Sequence, residues 1–199
     1  MDDKKIAVII YWTDEKIFNQ TVKNLQRLKI PEKFSAEILP VQGEEKFSAY
    51  NFAMKNSDAK YKIFLDENIS VLNEKILLEI IKIFQAEEKI GIIGTSGAIQ
   101  LSTHGICFES AKRTGKIYLG TKKILQEFGE DKKNFTEVEA VDNFFVATQY
   151  DFDWREDLKD FSIAAQCLEF KNKNLKSVVI NQKKSAVWYR TDNFSIGKQ

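Results

Sequence analysis

The stretch Tyr61-Lys62-Ile63-Phe64-Leu65-Asp66-Glu67-Asn68 limits what this chain can fold into more than any other. Ile63-Phe64-Leu65 is apolar without alternation, the pattern of a strand covered on both faces, as in a parallel sheet between helices. It runs directly into a polar, acidic tip. In open α/β sheets the carboxyl end of a strand is where ligands bind. Asp66, Glu67 and Asn68 offer two carboxylates and an amide, oxygen donors suited to a hard divalent cation, and through it to a diphosphate. The plainer alternative is a buried strand followed by a solvated acidic turn.

The flanking segments repeat one alternation. Ile6-Ala7-Val8-Ile9-Ile10 predicts a first buried strand within Lys5–Tyr11. Thr13 is the expected N-cap of a helix running to about Lys29, with Asp14 and Glu15 in its first turn and Pro31 beyond its end. Ala36–Val41 predicts a second strand that opens into Gln42-Gly43-Glu44-Glu45, and Ser48–Asn56 a short helix. Asn73 is placed to cap a third helix, with Ile76, Leu77, Ile80, Ile81 and Phe84 on its apolar face. Ile90–Gly94 predicts a fourth strand. Strands alternating with helices imply a mostly parallel sheet. Ile63-Phe64-Leu65 is then expected inside it, flanked by Ala7–Ile10 and Ile90–Ile93. The loops after Ile10 and Val41 and the tip at Asp66–Asn68 should converge on one crevice, which makes Tyr11, Glu44 and Asp66 candidate ligand-binding residues.

The second half reads differently. Gly97 to about Leu119 predicts strands or loops around Gly105 and a Thr114-Gly115 turn. Lys122–Lys133 is highly charged and predicts a short helix and a loop. Asp142 and Asn143 sit as a polar pair inside the apolar run Glu139–Ala147. Asp151, Asp153, Glu156, Asp157 and Asp160 crowd around Trp154 and Arg155. Phe161, Ala164, Ala165 and Leu168 have helical spacing behind Asp160, a good N-cap. Ser177–Ile180 predicts a last strand, before the aromatic tail Val187-Trp188-Tyr189-Arg190. No linker or internal repeat divides the chain. The expected class is α/β: one domain over 1–199, with a nucleotide-binding half (about 1–98) and a mixed α+β half (about 99–199).

Composition removes several function classes. The chain has 199 residues, 30% of them charged, with a net charge of +1 spread along the sequence. A nucleic-acid surface would need a concentrated basic patch, so nucleic acid is not an expected partner. Cys107 and Cys167 make neither a disulfide framework nor a zinc site, and a reducing cytoplasm is the expected setting. The run after Met1-Asp2-Asp3-Lys4-Lys5 is too short for a signal peptide or membrane span, so a lipid-linked substrate would be met peripherally. The single histidine, His104, reads as a solvent-exposed loop residue. No glycine-rich phosphate loop is present; Gly91, Gly94 and Gly97 fit neither common pattern.

An ordered set of segments then carries a family resemblance. These are Ser48-Ala49-Tyr50-Asn51-Phe52-Ala53-Met54, Ala59–Leu65 with its acidic tip, Ile90–Ala98, Val138–Asp142, Tyr150–Glu156 and Gln166-Cys167-Leu168-Glu169-Phe170. Together, over roughly Ile6 to Asn181, they resemble the streptomycin-biosynthesis StrF-like domain, within the family 2 glycosyltransferases of the GT-A fold. The resemblance implies a nucleotide-sugar donor, a UDP-sugar above others, and a glycan or small-molecule acceptor. It implies a divalent metal, Mn2+ or Mg2+, at a DxD-like motif that falls here on Asp66-Glu67-Asn68, with Asp66 and Asn68 as ligands. It adds Asn51 to the donor-binding candidates. Three departures stand out. Asn68 replaces a terminal aspartate, Ser162 or Ile163 stands where an aspartate is expected, and Asn143 replaces a glycine.

Inverting sugar transfer needs a carboxylate to take the acceptor proton, a cation for the departing diphosphate, and a shaped pocket. Asp157 and Asp160 are the candidate bases. Asp142 and Trp154 are candidates for the acceptor side, Trp154 by stacking on a sugar face. Each has a plainer alternative: Asp160 as a helix cap, Asp142 as a turn residue, Trp154 as packing. Three functional readings follow. The first is a glycosyltransferase, and the second a catalytically weakened or inactive GT-A-like binding module, which the lost carboxylates favour. The third, a sugar nucleotidyltransferase, lacks its glycine-rich signature after strand one.

Overall fold

The computed structural model describes residues 1–129 and 134–192. In chain order the first elements are β1 (Asp2–Tyr11), α1 (Glu15–Leu25), β2 (Ser35–Val41), α2 (Lys46–Lys55), β3 (Ala59–Asp66), β4 (Ile69–Val71), α3 (Ile76–Ala86) and β5 (Ile90–Gly94). Next come β6 (Ser96–Gln100), β7 (Lys112–Leu119), β8 (Ile124–Phe128), β9 (Phe135–Val138), β10 (Ala140–Val141) and β11 (Val146–Thr148). The chain continues with α4 (Ser162–Asn172), β12 (Lys176–Ile180) and β13 (Val187–Tyr189). Short 3-10 turns at Cys107–Glu109 and Glu156–Phe161 precede β7 and α4.

A seven-stranded sheet in the order β2-β1-β3-β11-β5-β12-β9 forms the centre. β1 pairs in parallel with β2 and β3, and β12 with β5. Both faces are covered, as unalternating strands require. On one side Ile6, Val8 and Ile10 pack with α1 and with Ile76, Leu77, Ile80 and Phe84 of α3. On the other, Ile9 and Phe64 pack with Tyr50 and Met54 of α2 and with Ile163 and Phe170 of α4. Burial of each such side chain contributes about 1.5–3 kcal/mol. β3 is interior, as expected, but its neighbours are β1 and β11, not β1 and β5. The antiparallel β11 separates β3 from β5, pairing Ala147 with Ile63 on one side and Ile93 on the other.

A second sheet, β10-β6-β7-β13-β4 with β8 on the flank of β7, is built largely from the second half. Here the structure corrects the sequence reading. Thr114 and Gly115 are not a turn but lie inside β7. Gly115 has φ +100°, and a side chain there would meet the Thr95 carbonyl at 2.4 Å, so only glycine fits. Residues 124–128 form β8, not a helix, and 130–133 lie outside the described residues. The aromatic tail is β13, paired with β4 and β7.

Helix ends also shift. Asp14, not Thr13, caps α1, accepting from the Ile17 amide at 2.9 Å. Helix α1 stops at Leu25, short of Lys29. Asn73 sits before α3 and accepts from the Lys75 amide at 2.9 Å. The N-cap of α4 is Phe161, not Asp160, whose side chain lies outside the described residues. Helix α4 buries Ser162, Ile163, Gln166, Cys167 and Phe170, while Phe161 and Leu168 face outward at 43% and 56% exposure.

Candidate functional site

Parallel pairing brings three carboxyl ends together. Tyr11, the last residue of β1, is level with Val41 of β2 and Asp66 of β3. The loops that follow are tied to one another. The Tyr11 hydroxyl donates to the Gly43 carbonyl at 2.9 Å, and the Glu67 amide donates to the Tyr11 carbonyl at 3.0 Å. The Glu67 side chain, though acidic, points inward. Its carboxylate accepts from the Thr13 amide at 2.7 Å, the Thr13 hydroxyl at 2.9 Å and the Asp14 amide at 2.9 Å. Thr13 is therefore an anchor for the tip and not a helix cap. Arg190, just past β13, locks the tip from below. Its guanidinium donates to the carbonyls of Glu67 and Asn68, to the Thr21 hydroxyl and to the Gln20 amide oxygen.

Asp66 remains half-buried at the mouth. One oxygen accepts from the Asn68 amide at 2.9 Å; the other stands 3.5 Å from the Lys46 ammonium. Lys46 opens α2, and its ammonium also lies 5.6 Å from the centre of the Tyr50 ring. The field of Asp66 is felt nearby. Burial first, then Asp66, push the Tyr189 hydroxyl up to about 12. Tyr50 is raised well above its ordinary value by burial, with Asp66 and Tyr11 adding to it. Burial lowers the Arg190 pKa, and Asp66 and Glu67 oppose that shift.

Beside this tip is a cleft of about 460 Å³, lined by residues 40–45 with Ser48, Ala49, Phe52 and Glu156. It contains Glu44, which is exposed. Asn51 is buried and faces the segment before α4. Its amide nitrogen donates to the Trp154 carbonyl at 3.0 Å and to Glu156 at 2.8 Å, and its oxygen accepts from the Trp154 amide at 2.7 Å. Asn51 thus fixes Glu156 at the cleft rather than reaching into it.

The acceptor-side candidates are engaged by other parts of the protein. Trp154 is only 3% exposed and its ring packs on Phe47, Tyr50 and Phe64, which leaves no face for a sugar. Asp142 is buried beneath the second sheet. It accepts from Arg113 and from the Ser96 hydroxyl, both at 2.6 Å. The Arg113 guanidinium is itself held between the rings of Phe108 and Phe128. Asp157 is exposed and bonded to Arg155 at 2.6 Å, which holds its carboxyl below the usual carboxylate range. Ser162, at the second departure, is fully buried in the first turn of α4.

The tip does not fit a dedicated divalent-cation site. Among the described residues no cluster of three or more metal-ligating side chains occurs. Glu67 is wholly engaged, Asn68 is uncharged, and Asp66 already faces an ammonium. Two unit charges 4 Å apart interact by about 1 kcal/mol in water and about 4 kcal/mol at an effective dielectric near 20. A dication beside Lys46 doubles that repulsion. The sequence reading missed Lys46, Glu156 and Arg190. Lys46 was detectable, since it lies two residues before the matching segment that starts at Ser48. Arg190 was not, because only the β13 pairing brings it back to residue 68.

A mixed central sheet with three parallel strands ending level at Tyr11, Val41 and Asp66 is the arrangement of the GT-A-type glycosyltransferase structures that the chain resembles in fold. Residues 7–198 match the model described as "glycosyltransferase like family", and the chain belongs to that family. No curated protein matches the sequence. Several solved structures share the fold. One is TarS of S. aureus, residues 1–349, in complex with UDP (TM-score 0.61, 12% identity, 94% of this chain and 60% of that one). Another is the mannosyltransferase PcManGT of Pyrobaculum calidifontis in complex with GDP-Man and Mn2+ (0.57, 8%, 98% and 58%). A third is a mutant Drosophila β-1,4-galactosyltransferase 7 with manganese, UDP-Gal and xylobiose (0.55, 10%, 93% and 70%). The chain thus spans about three-fifths of the TarS fragment. Among the described residues no helix is long and apolar enough to cross a membrane.

Proposed function

We propose that the protein transfers a sugar from a nucleoside-diphosphate donor to a hydroxyl acceptor, with inversion. The observation that supports this reading is that β1, β2 and β3 end level at Tyr11, Val41 and Asp66, tied by the Tyr11–Gly43 bond to the loop that lines the neighbouring cleft. Tyr11, Glu44 and Asp66 line the donor side, and Asn51 positions the wall behind them. In the reaction a carboxylate takes the acceptor proton, the acceptor oxygen bonds to the anomeric carbon, and the bond to the diphosphate breaks. Asp157 and Asp160 stay as base candidates, and Glu156 joins them because it lines the cleft. UDP is the preferred nucleotide, supported by the fold likeness to the UDP-bound TarS. The StrF-like subclass, a cytoplasmic setting and a peripherally met acceptor are part of the same proposal. A metal on Asp66 and Asn68, as the resemblance implies, has only one charged ligand to support it.

The test is transfer or donor hydrolysis across a panel of UDP- and GDP-sugars, followed by Glu156→Gln, Asp157→Asn and Asp160→Asn. Loss of the base lowers turnover by about 10²–10⁴-fold while donor binding persists. If Asp157 is the base, the acid limb of kcat/KM lies below its ordinary pKa of 3.8, since Arg155 lowers it. A limb at higher pH assigns the base elsewhere. The second reading, a GT-A-like binding module, is favoured by the internal engagement of Glu67, Asp142 and Asp157. Donor binding without turnover in any member of the panel selects it.

A further inference from the structure

We infer that Lys46 takes the place of a divalent cation in this crevice, so that a nucleoside diphosphate binds without metal. The inference rests on the donor-site reading above. Hydrogen bonds and ion pairs bring two cations to the tip among the described residues, Lys46 and Arg190. Arg190 is spent on the tip itself, with bonds to Glu67, Asn68, Thr21 and Gln20, so its role is positioning.

Lys46 is differently placed. Its side chain keeps 22% exposure, and its one ion pair among the described residues, to Asp66 at 3.5 Å, is long. An ammonium has three donors, so two remain for phosphate oxygens while one faces Asp66. The Tyr50 ring, 5.6 Å from the ammonium, limits where the side chain swings. Asp66 then acts as a holder of Lys46 and not as a metal ligand. The two roles predict opposite consequences for neutralising it.

The experiment is calorimetric titration with UDP, and separately GDP, in MnCl2 and in EDTA. The proteins are wild type, Lys46→Gln, Lys46→Arg and Asp66→Asn, with melting curves confirming that each is folded. Wild type is expected to bind in EDTA as well as in manganese. Lys46→Gln should weaken binding by about 10–100-fold, the worth of a charge-assisted hydrogen bond. Lys46→Arg should retain most of the affinity, which separates a charge effect from misfolding. Asp66→Asn should bind as tightly as wild type or more so. Binding that requires manganese and disappears in Asp66→Asn overturns the inference and leaves the donor site standing. No binding of either nucleotide in either buffer overturns both.

Discussion

Asp142 and Asp66 each face a cation in this molecule, and the two pairs differ in kind. Asp142 and Arg113 meet at 2.6 Å with both side chains 4% exposed, closed in by Ser96, Phe108 and Phe128. Asp66 and Lys46 stand 3.5 Å apart at the crevice mouth, with 19% and 22% of their side chains exposed. The first pair is desolvated and bonded from several sides, so it can only be scaffold. The second is looser, and water reaches it. Charge type is the same in both places; what separates them is access to water. Asp142 was an acceptor candidate on its sequence, and its burial is what removes it from the surface.

The contrast breaks most sharply at the buried pair. Asp142→Ala leaves the Arg113 charge without a partner and is expected to cost about 3–5 kcal/mol, measured by urea denaturation. Replacing both residues together, Arg113→Met with Asp142→Leu, should cost less than that single change. If Asp142→Ala is as stable as wild type, the pair is no more structural than the one at the mouth. Glu67 tests the intermediate case, a buried carboxylate that serves the site. Glu67→Gln loses part of the grip on Thr13 and Asp14, an expected cost of about 1–3 kcal/mol seen as a lower Tm.

Alkaline pH probes the field around Asp66. Tyr189 ionises at about 12 in the folded protein and near 10 when unfolded. Its raised folded value means that its contribution is complete below pH 10 and is lost as pH rises towards 12. Melting temperature should fall across that window, and Tyr189→Phe should remove its share, leaving those of Tyr50 and Tyr61, which burial also raises. The smallest effect belongs to the open pair. Lys46→Gln is expected to change stability by about 1 kcal/mol or less, since the pair is long and reached by water. A larger loss would move Lys46 into the framework.

Much of the fold was legible because its strands lack alternation. Ile6–Ile10, Ile63–Leu65 and Ile90–Ile93 are covered on both faces, and that pattern has few other solutions. β11 was not legible, since a three-residue strand beside Phe144 and Phe145 leaves no period to read. The buried face of α4 was misread for a different reason. Apolar spacing selected Phe161 and Leu168, whereas the interior accepts Ser162 and Gln166, the latter donating to the Phe152 carbonyl at 2.8 Å. At the site, the position of Asp66 followed from strand polarity. The commitment of Glu67 inward did not, because its partners Thr13 and Asp14 are more than fifty residues away in sequence.

The seat of β11 also sets an order of events on the ribosome. Residues 146–148 enter the sheet between strands made long before them. Until they arrive, β3 exposes one edge of unpaired backbone, the kind of edge that invites pairing with other chains. A nascent chain ending near residue 98 therefore has the loops after β1, β2 and β3 but neither a closed sheet to carry them nor Glu156 and Arg190. Fragments cut there should aggregate or bind chaperones, and the tip should be fully held only once the chain has grown past Arg190.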